Sequence, residues 1–201
     1  GELVRAGFPK IKRRVSGYNL DQLLPENGFN VARALVGSEG TCALTLQAKA
    51  KLVKSPAHRV LLVQGYPDVY QAGDAVPEIL AAGPIACEGL DEPIIGGLRE
   101  RRLKLDDLQL LPEGKAWLMI EFGGDTAEEA IQKAKALRGR VVTDRGEMGR
   151  LWAIRETGAS ATSLKLKKHE GPDPVVGWED AAVDPLRLGD YLREFQALVD
   201  R

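Results

Sequence analysis

From residue 60 onward, short apolar runs alternate with stretches of helical periodicity. That alternation restricts the chain to folds in which helices pack on a sheet. Val60-Leu61-Leu62-Val63, Ile85-Ala86-Cys87, Trp117-Leu118-Met119-Ile120-Glu121-Phe122 and Val141-Val142 read as strands, and residues 175–183 contain a further extended piece. After Pro67, Val69, Ala72, Gly73, Val76, Ile79 and Leu80 fall on one helical face. A second helix is predicted from about Glu92 to Arg101. Asp125 is placed to cap a third, with Glu128 three residues on as the capping-box partner and Ala127, Ala130, Ile131, Ala134 and Leu137 as its apolar stripe. A fourth covers Gly146 to Ala159. The last starts at Pro185 behind Asp184 and buries Leu188, Tyr191, Leu192, Phe195, Leu198 and Val199.

Two strand–helix–strand units in tandem predict an α+β sandwich with helices on one face of an antiparallel sheet, the ferredoxin-like arrangement. Residues 1–54 obey different rules. A basic cluster, Lys10-Ile11-Lys12-Arg13-Arg14, precedes Ser16-Gly17-Tyr18-Asn19-Leu20, and Pro25 and Gly28 break the short helical piece that begins there. A short helix is predicted over Phe29 to Leu35. It runs into a turn bracketed by Gly37 and Gly40, with Ser38, Glu39 and Thr41 supplying two hydroxyls and a carboxylate. Glycines at that spacing let backbone bend sharply and approach a ligand closely. From Thr41 to Val53, residues Leu44, Leu46, Ala48, Ala50 and Leu52 recur at period two and predict a half-buried strand, ended by Ser55-Pro56. The reading is thus of two domains, 1–54 and 55–201.

Composition excludes several function classes. A net charge of -1 argues against a dedicated nucleic-acid binder. No apolar run is long enough to span a bilayer. The two cysteines, Cys42 and Cys87, match no metal or redox spacing, so an iron–sulfur cluster held by these residues alone is not expected, and reduced thiols point to a cytoplasmic setting. With two histidines, His58 and His169, general bases and zinc ligands are scarce.

The segment Ser16-Gly17-Tyr18-Asn19-Leu20, with Val36-Gly37-Ser38-Glu39-Gly40-Thr41 after it, resembles the FAD-linked oxidase family. This family includes D-lactate dehydrogenases, the glycolate oxidase flavin subunit and 2-hydroxyglutarate dehydrogenases. Glu121-Phe122-Gly123-Gly124-Asp125, Leu151-Trp152-Ala153-Ile154-Arg155-Glu156 and Trp178-Glu179-Asp180-Ala181-Ala182-Val183 resemble its cap domain, in the same order. The resemblance implies that residues 1–54 are the C-terminal part of an FAD-binding domain. Residues 55–201 are then a ferredoxin-like substrate domain, truncated at its C-terminal end. It further implies FAD as cofactor, oxidation of a 2-hydroxy acid of the D-lactate or glycolate type, and an iron–sulfur domain or protein as electron acceptor. The family's upstream glycine-rich loop and its His-x-Gly-x-Gly segment are not in this sequence. The expectation is a fragment that by itself is inactive and does not hold FAD, from an enzyme that is cytoplasmic or peripheral to a membrane.

Arg155 is the best single candidate for chemistry. It lies four residues after Leu151 and shares the apolar side of its helix, where a guanidinium needs an anionic partner or a route to water. The resemblance assigns it the grip on the substrate carboxylate, a task that suits a bidentate fork. A structural ion pair to Glu179 or Asp180 is the competing reading. Relatives of the 2-hydroxyglutarate type carry a threonine one turn later and a lysine before the next strand's acidic residue. Here Ala159, with Ser160 beside it, and Trp178-Glu179 stand there, which favours a monocarboxylate. By the resemblance Gly17, Tyr18, Gly37, Ser38, Glu39, Gly40 and Thr41 border the flavin; the competing reading is a core tyrosine and a plain turn. No catalytic base and no metal ligand is assigned. His58 and His169 read as surface residues, and Trp117, Trp152 and Trp178 as core. An alternative to the enzyme reading is a standalone ferredoxin-like module binding a small acid or a protein. The two part at the N-terminus: a flavin-enzyme piece leaves residues 1 to about 40 without a core of their own.

Overall fold

A computed structural model describes residues 1–11, 14, 17–161 and 181–201, with side chains described for all but 159–161 of these. The expected features at His169, Trp178, Glu179 and Asp180, and most of the extended piece at 175–183, lie outside the described residues. The chain divides into two compact units, one holding Gly1–Lys54 and the other holding the sheet.

Within Gly1–Lys54 the described residues form short helical pieces only. These are α1 (Glu2–Gly7), 3-10 turns at Leu20–Leu23 and Pro25–Asn27, and α2 (Val31–Leu35). Asn30 caps α2, its side chain accepting from the Arg33 amide at 3.0 Å. None of these pieces buries a side chain, and Ser38 is the only buried residue described in 1–54. The strand predicted for Thr41–Val53 is absent: residues 42–57 pair with no strand, and Leu44, Leu46, Leu52 and Val53 are 84–90% exposed. Alternation defines which face is apolar but supplies no neighbour. A strand exists only when its amides and carbonyls find a ladder.

The second unit carries a four-stranded sheet in the order β2-β3-β1-β4, every neighbouring pair antiparallel. The strands are β1 (His58–Tyr66), β2 (Ala86–Asp91), β3 (Ala116–Gly124) and β4 (Arg140–Val142). Between β1 and β2 runs α3 (Val69–Ala81), capped by Asp68. Between β2 and β3 lie α4 (Glu92–Glu100), capped by Asp91, and α5 (Leu105–Leu108). After β3 comes α6 (Ala127–Lys135), and after β4 come α7 (Arg145–Ala161) and α8 (Leu188–Val199).

Helices cover both faces of this sheet, not one. On the first face Val60, Leu62, Leu118, Ile120 and Phe122 pack against Ala72, Val76 and Ile79 of α3 and Ala130 and Ala134 of α6. On the second, Leu61, Val63, Trp117 and Met119 pack against Ile95 and Leu98 of α4, Leu108 of α5, and Leu151 and Ile154 of α7. The cause is in the strands. Val60 through Val63 are all within 2% of full burial, and a run that is apolar at both parities needs cover on both sides. Each such fully buried aliphatic or aromatic side chain contributes roughly 1.5–3 kcal/mol.

Two helix starts differ from expectation. Thr126, not Asp125, caps α6, accepting from the Glu129 amide at 3.2 Å, while the Glu129 carboxylate accepts from the Asp125 amide at 2.9 Å. The box exists one residue later than its sequence pattern suggests. Pro185–Arg187 form a 3-10 turn, and α8 begins only at Leu188 with no side-chain cap. Helix α8 meets α3 by close backbone approach: a Cβ on Gly73 would lie 2.9 Å from the Cα of Gly189. Its outer end remains uncovered, with Phe195, Leu198 and Val199 exposed rather than buried.

Candidate functional site

Helix α7 crosses the second face and sets the candidate site at the β2 edge. Leu151 and Ile154 are fully buried beneath it, and a Cβ on Gly158 would lie 2.5 Å from Ile94 Cγ2, so α7 lies tight against α4. Arg155 sits beside that buried stripe, half exposed. Its Nε donates to Glu88 Oε2 at 3.2 Å, and its Nη2 lies 3.1 Å from the same oxygen. Glu88 belongs to β2, opposite Met119 and two residues from buried Leu90, which puts it on the α7 side of the sheet. The expected partners Glu179 and Asp180 lie outside the described residues; the described partner is Glu88. Contact runs along one edge of the guanidinium, Nε and Nη2, through one carboxylate oxygen. The Nη1–Nη2 edge is not used by Glu88.

The reading of β2 as Ile85-Ala86-Cys87 stops one residue short of Glu88. The strand extends to Asp91, and its parity is available in the sequence: Cys87 faces the first core and Leu90 the second, so Glu88 goes with Leu90. Burial, and secondarily the Glu88 charge, pushes the Cys87 thiol up to about 11. Cys87 is therefore a protonated, inert thiol rather than a nucleophile or ligand. Among the described residues no group of three or more His, Cys, Asp or Glu is arranged to hold a metal. No helix among them is long and apolar enough to cross a membrane.

The two glycine motifs of residues 1–54 meet in space. The Tyr18 hydroxyl lies 2.8 Å from Thr41 Oγ1, and Thr41 Oγ1 donates to the Ser38 carbonyl at 2.6 Å. Because that threonine proton is committed, Tyr18 acts as the donor to Thr41. Asn19 Nδ2 donates to the Val36 carbonyl at 2.9 Å, tying the second motif to the first again. Gly17, Gly37 and Gly40 have φ of 75°, 80° and 76°, and Glu39 adopts 50°. These are left-handed conformations that glycine accepts without cost and glutamate does not. Tyr18 is 44% exposed, so it is not a core aromatic.

Tyr18 and Thr41 spend their hydroxyls, and Asn19 its Nδ2, on bonds between the two motifs, and beyond the Cβ positions of Gly17, Gly37 and Gly40 there is nothing within 4 Å. They present an open edge without walls. The described residues of 1–54 do not fit FAD as a complete site.

His58 is exposed and lines a cleft of about 100 Å³ with Arg59, Val60, Ala127, Ile131, Thr143 and Arg145. Trp117 is buried and donates through Nε1 to the Pro112 carbonyl at 2.7 Å, and Trp152 packs at the margin of the second core. In the basic cluster Arg14 pairs with Asp21 at 2.9 Å, a structural use.

An antiparallel sheet sandwiched by helices, with a half-exposed arginine held at one edge, defines an α+β domain with an anion-binding candidate. Residues 55–201 match the family model described as FAD linked oxidases, C-terminal domain, and the chain belongs to that family. It is 28% identical over 218 residues to a D-2-hydroxyglutarate dehydrogenase of Pseudomonas putida, covering 99% of this chain and 21% of the relative. To the glycolate oxidase subunit GlcD of Bacillus subtilis it is 29% identical, covering 96% of this chain and 38% of the relative. A probable mitochondrial D-lactate dehydrogenase of Danio rerio is 30% identical over 64% of this chain and 25% of its own length. The chain thus spans about a fifth of the length of the dehydrogenase relative from Pseudomonas putida.

Proposed function

We propose that this chain is part of an FAD-dependent oxidoreductase that oxidises a 2-hydroxy acid to a 2-oxo acid, with Arg155 binding the substrate carboxylate. The observation that carries the reading is the state of Arg155. It stands on a helix anchored by Leu151 and Ile154, is held along one edge by Glu88, and has a second edge that Glu88 does not use. A planar fork with one edge held is suited to a carboxylate on the other. Family membership and relatives named for 2-hydroxy acids agree with it.

Residues 55–201 are proposed as the substrate domain of ferredoxin-like type. The strand order β2-β3-β1-β4, with helical crossovers after β1 and β3, supports that topology. Residues 1–54 are proposed as the C-terminal part of the FAD-binding domain, where Gly17, Tyr18 and Gly37 to Thr41 border the cofactor. Among their described residues no apolar side chain is buried, which supports a segment whose core is completed elsewhere and speaks against the standalone module. By this reading the 201 residues are inactive alone, and FAD, the base and an iron–sulfur electron acceptor are supplied by other parts of the protein or a partner. A substrate of the D-lactate or glycolate type is favoured over 2-hydroxyglutarate because Ala159 and Trp178-Glu179 stand where the resemblance calls for threonine and lysine.

The test is the visible spectrum of the full-length protein that contains this sequence, beside that of residues 1–201 alone. Bound flavin in the long form and none in the short form is the expected result. A full-length protein purified without flavin overturns the proposal.

A further inference from the structure

We infer that Glu88 is a positioning residue for the substrate carboxylate, acting through Arg155; the inference rests on the carboxylate-binding role proposed for Arg155. Three observations carry it. Glu88 Oε2 contacts both Nε and Nη2 of Arg155, at 3.2 and 3.1 Å, and therefore fixes the plane of the guanidinium along that edge. The contact joins elements 67 residues apart, the β2 edge strand and α7, so it is made only in the folded domain. The side chains are 42% and 37% exposed, which makes the pair weak as a source of stability.

Two effects of Glu88 on a bound carboxylate oppose each other, and their difference gives the test. Holding Arg155 in one rotamer removes an ordering cost from binding, roughly tenfold in affinity for a long side chain. The negative charge of Glu88 repels a second carboxylate beside it. Removing both side-chain oxygens abolishes the first effect and the second together. Exchanging the carboxylate for an amide keeps an acceptor oxygen for Nε and removes the repulsion.

The experiment uses the full-length protein with its flavin, a dye as electron acceptor, and glycolate, D-lactate or D-2-hydroxyglutarate, whichever is turned over. Glu88→Ala is expected to raise KM by about threefold to fivefold, less than the full ordering effect because the repulsion is lost with it, with kcat within about twofold of wild type. Glu88→Gln is expected to return KM to the wild-type value or below it. The melting temperature should hold in both. In an Arg155→Lys background Glu88→Ala should add nothing further. A KM that is unchanged or lowered in Glu88→Ala overturns the positioning role, as does a joint fall of kcat and melting temperature in both variants. If Arg155→Lys alone leaves KM unchanged, the carboxylate reading of Arg155 fails. If Arg155→Lys raises KM but Glu88→Ala does not, that reading stands and only the role of Glu88 falls. Turnover of none of the three acids overturns both.

Discussion

At the scale of single residues, the two thiols provide a direct check on the packing of β2. Cys87 is turned into the first core, where burial drives its thiol up to about 11, while Cys42 is exposed. Iodoacetamide at mildly alkaline pH, read by mass spectrometry of native protein, should modify Cys42 and leave Cys87 unmodified; equal labelling would mean that β2 is not packed as described. Arg155 is legible in the sequence because a guanidinium four residues from a leucine on an apolar stripe is a conspicuous exception. Glu88 is not, because the apolar run ends at Cys87 and a glutamate next in line reads as a strand terminus. Its partner lies 67 residues away, and no local pattern encodes such a distance. Tyr18 and Thr41 show the same limit: each motif is visible, and the hydrogen bond joining them across 23 residues is not.

Elements are legible where their apolar periodicity is closed by a neighbour. The four strands of the sheet and the helices α3, α4, α6 and α7 all stand near their predicted places, because each buries the stripe that reveals it. Thr41–Val53 fails for lack of a partner strand, although its alternation is cleaner than that of β2. The two-sided cover of the sheet departs from the expected single face for a reason already in the chain, since Val60-Leu61-Leu62-Val63 does not alternate. The α3–α8 contact rests on mutual backbone approach at Gly73 and Gly189, reinforced by Arg193 pairing with Asp74. Gly73→Ala places a methyl group 2.9 Å from backbone atoms that cannot rotate away. It should destabilise the domain by roughly 1–3 kcal/mol, measured as a lower urea midpoint with unchanged slope. An unchanged midpoint would mean that α8 does not seat on α3 through these glycines.

For the whole molecule, one unit has a two-faced core and the other has none among its described residues. That asymmetry is beyond the reach of composition, since 44% hydrophobic residues spread over 201 positions are enough for a core in either half. Family membership is likewise carried by one part of the sequence, residues 55–201. In the function proposed above, a flavin enzyme grips its substrate acid through Arg155. It is tested most directly by anaerobic titration of the full-length flavoprotein with glycolate, D-lactate and D-2-hydroxyglutarate, monitoring the flavin absorbance. At least one acid is expected to bleach the flavin, and Arg155→Lys is expected to keep the flavin but to need at least about tenfold more acid for the half-maximal rate of bleaching. Flavin that none of these acids reduces, or an Arg155→Lys rate of bleaching whose dependence on acid concentration overlays the wild type, would contradict the carboxylate grip by Arg155.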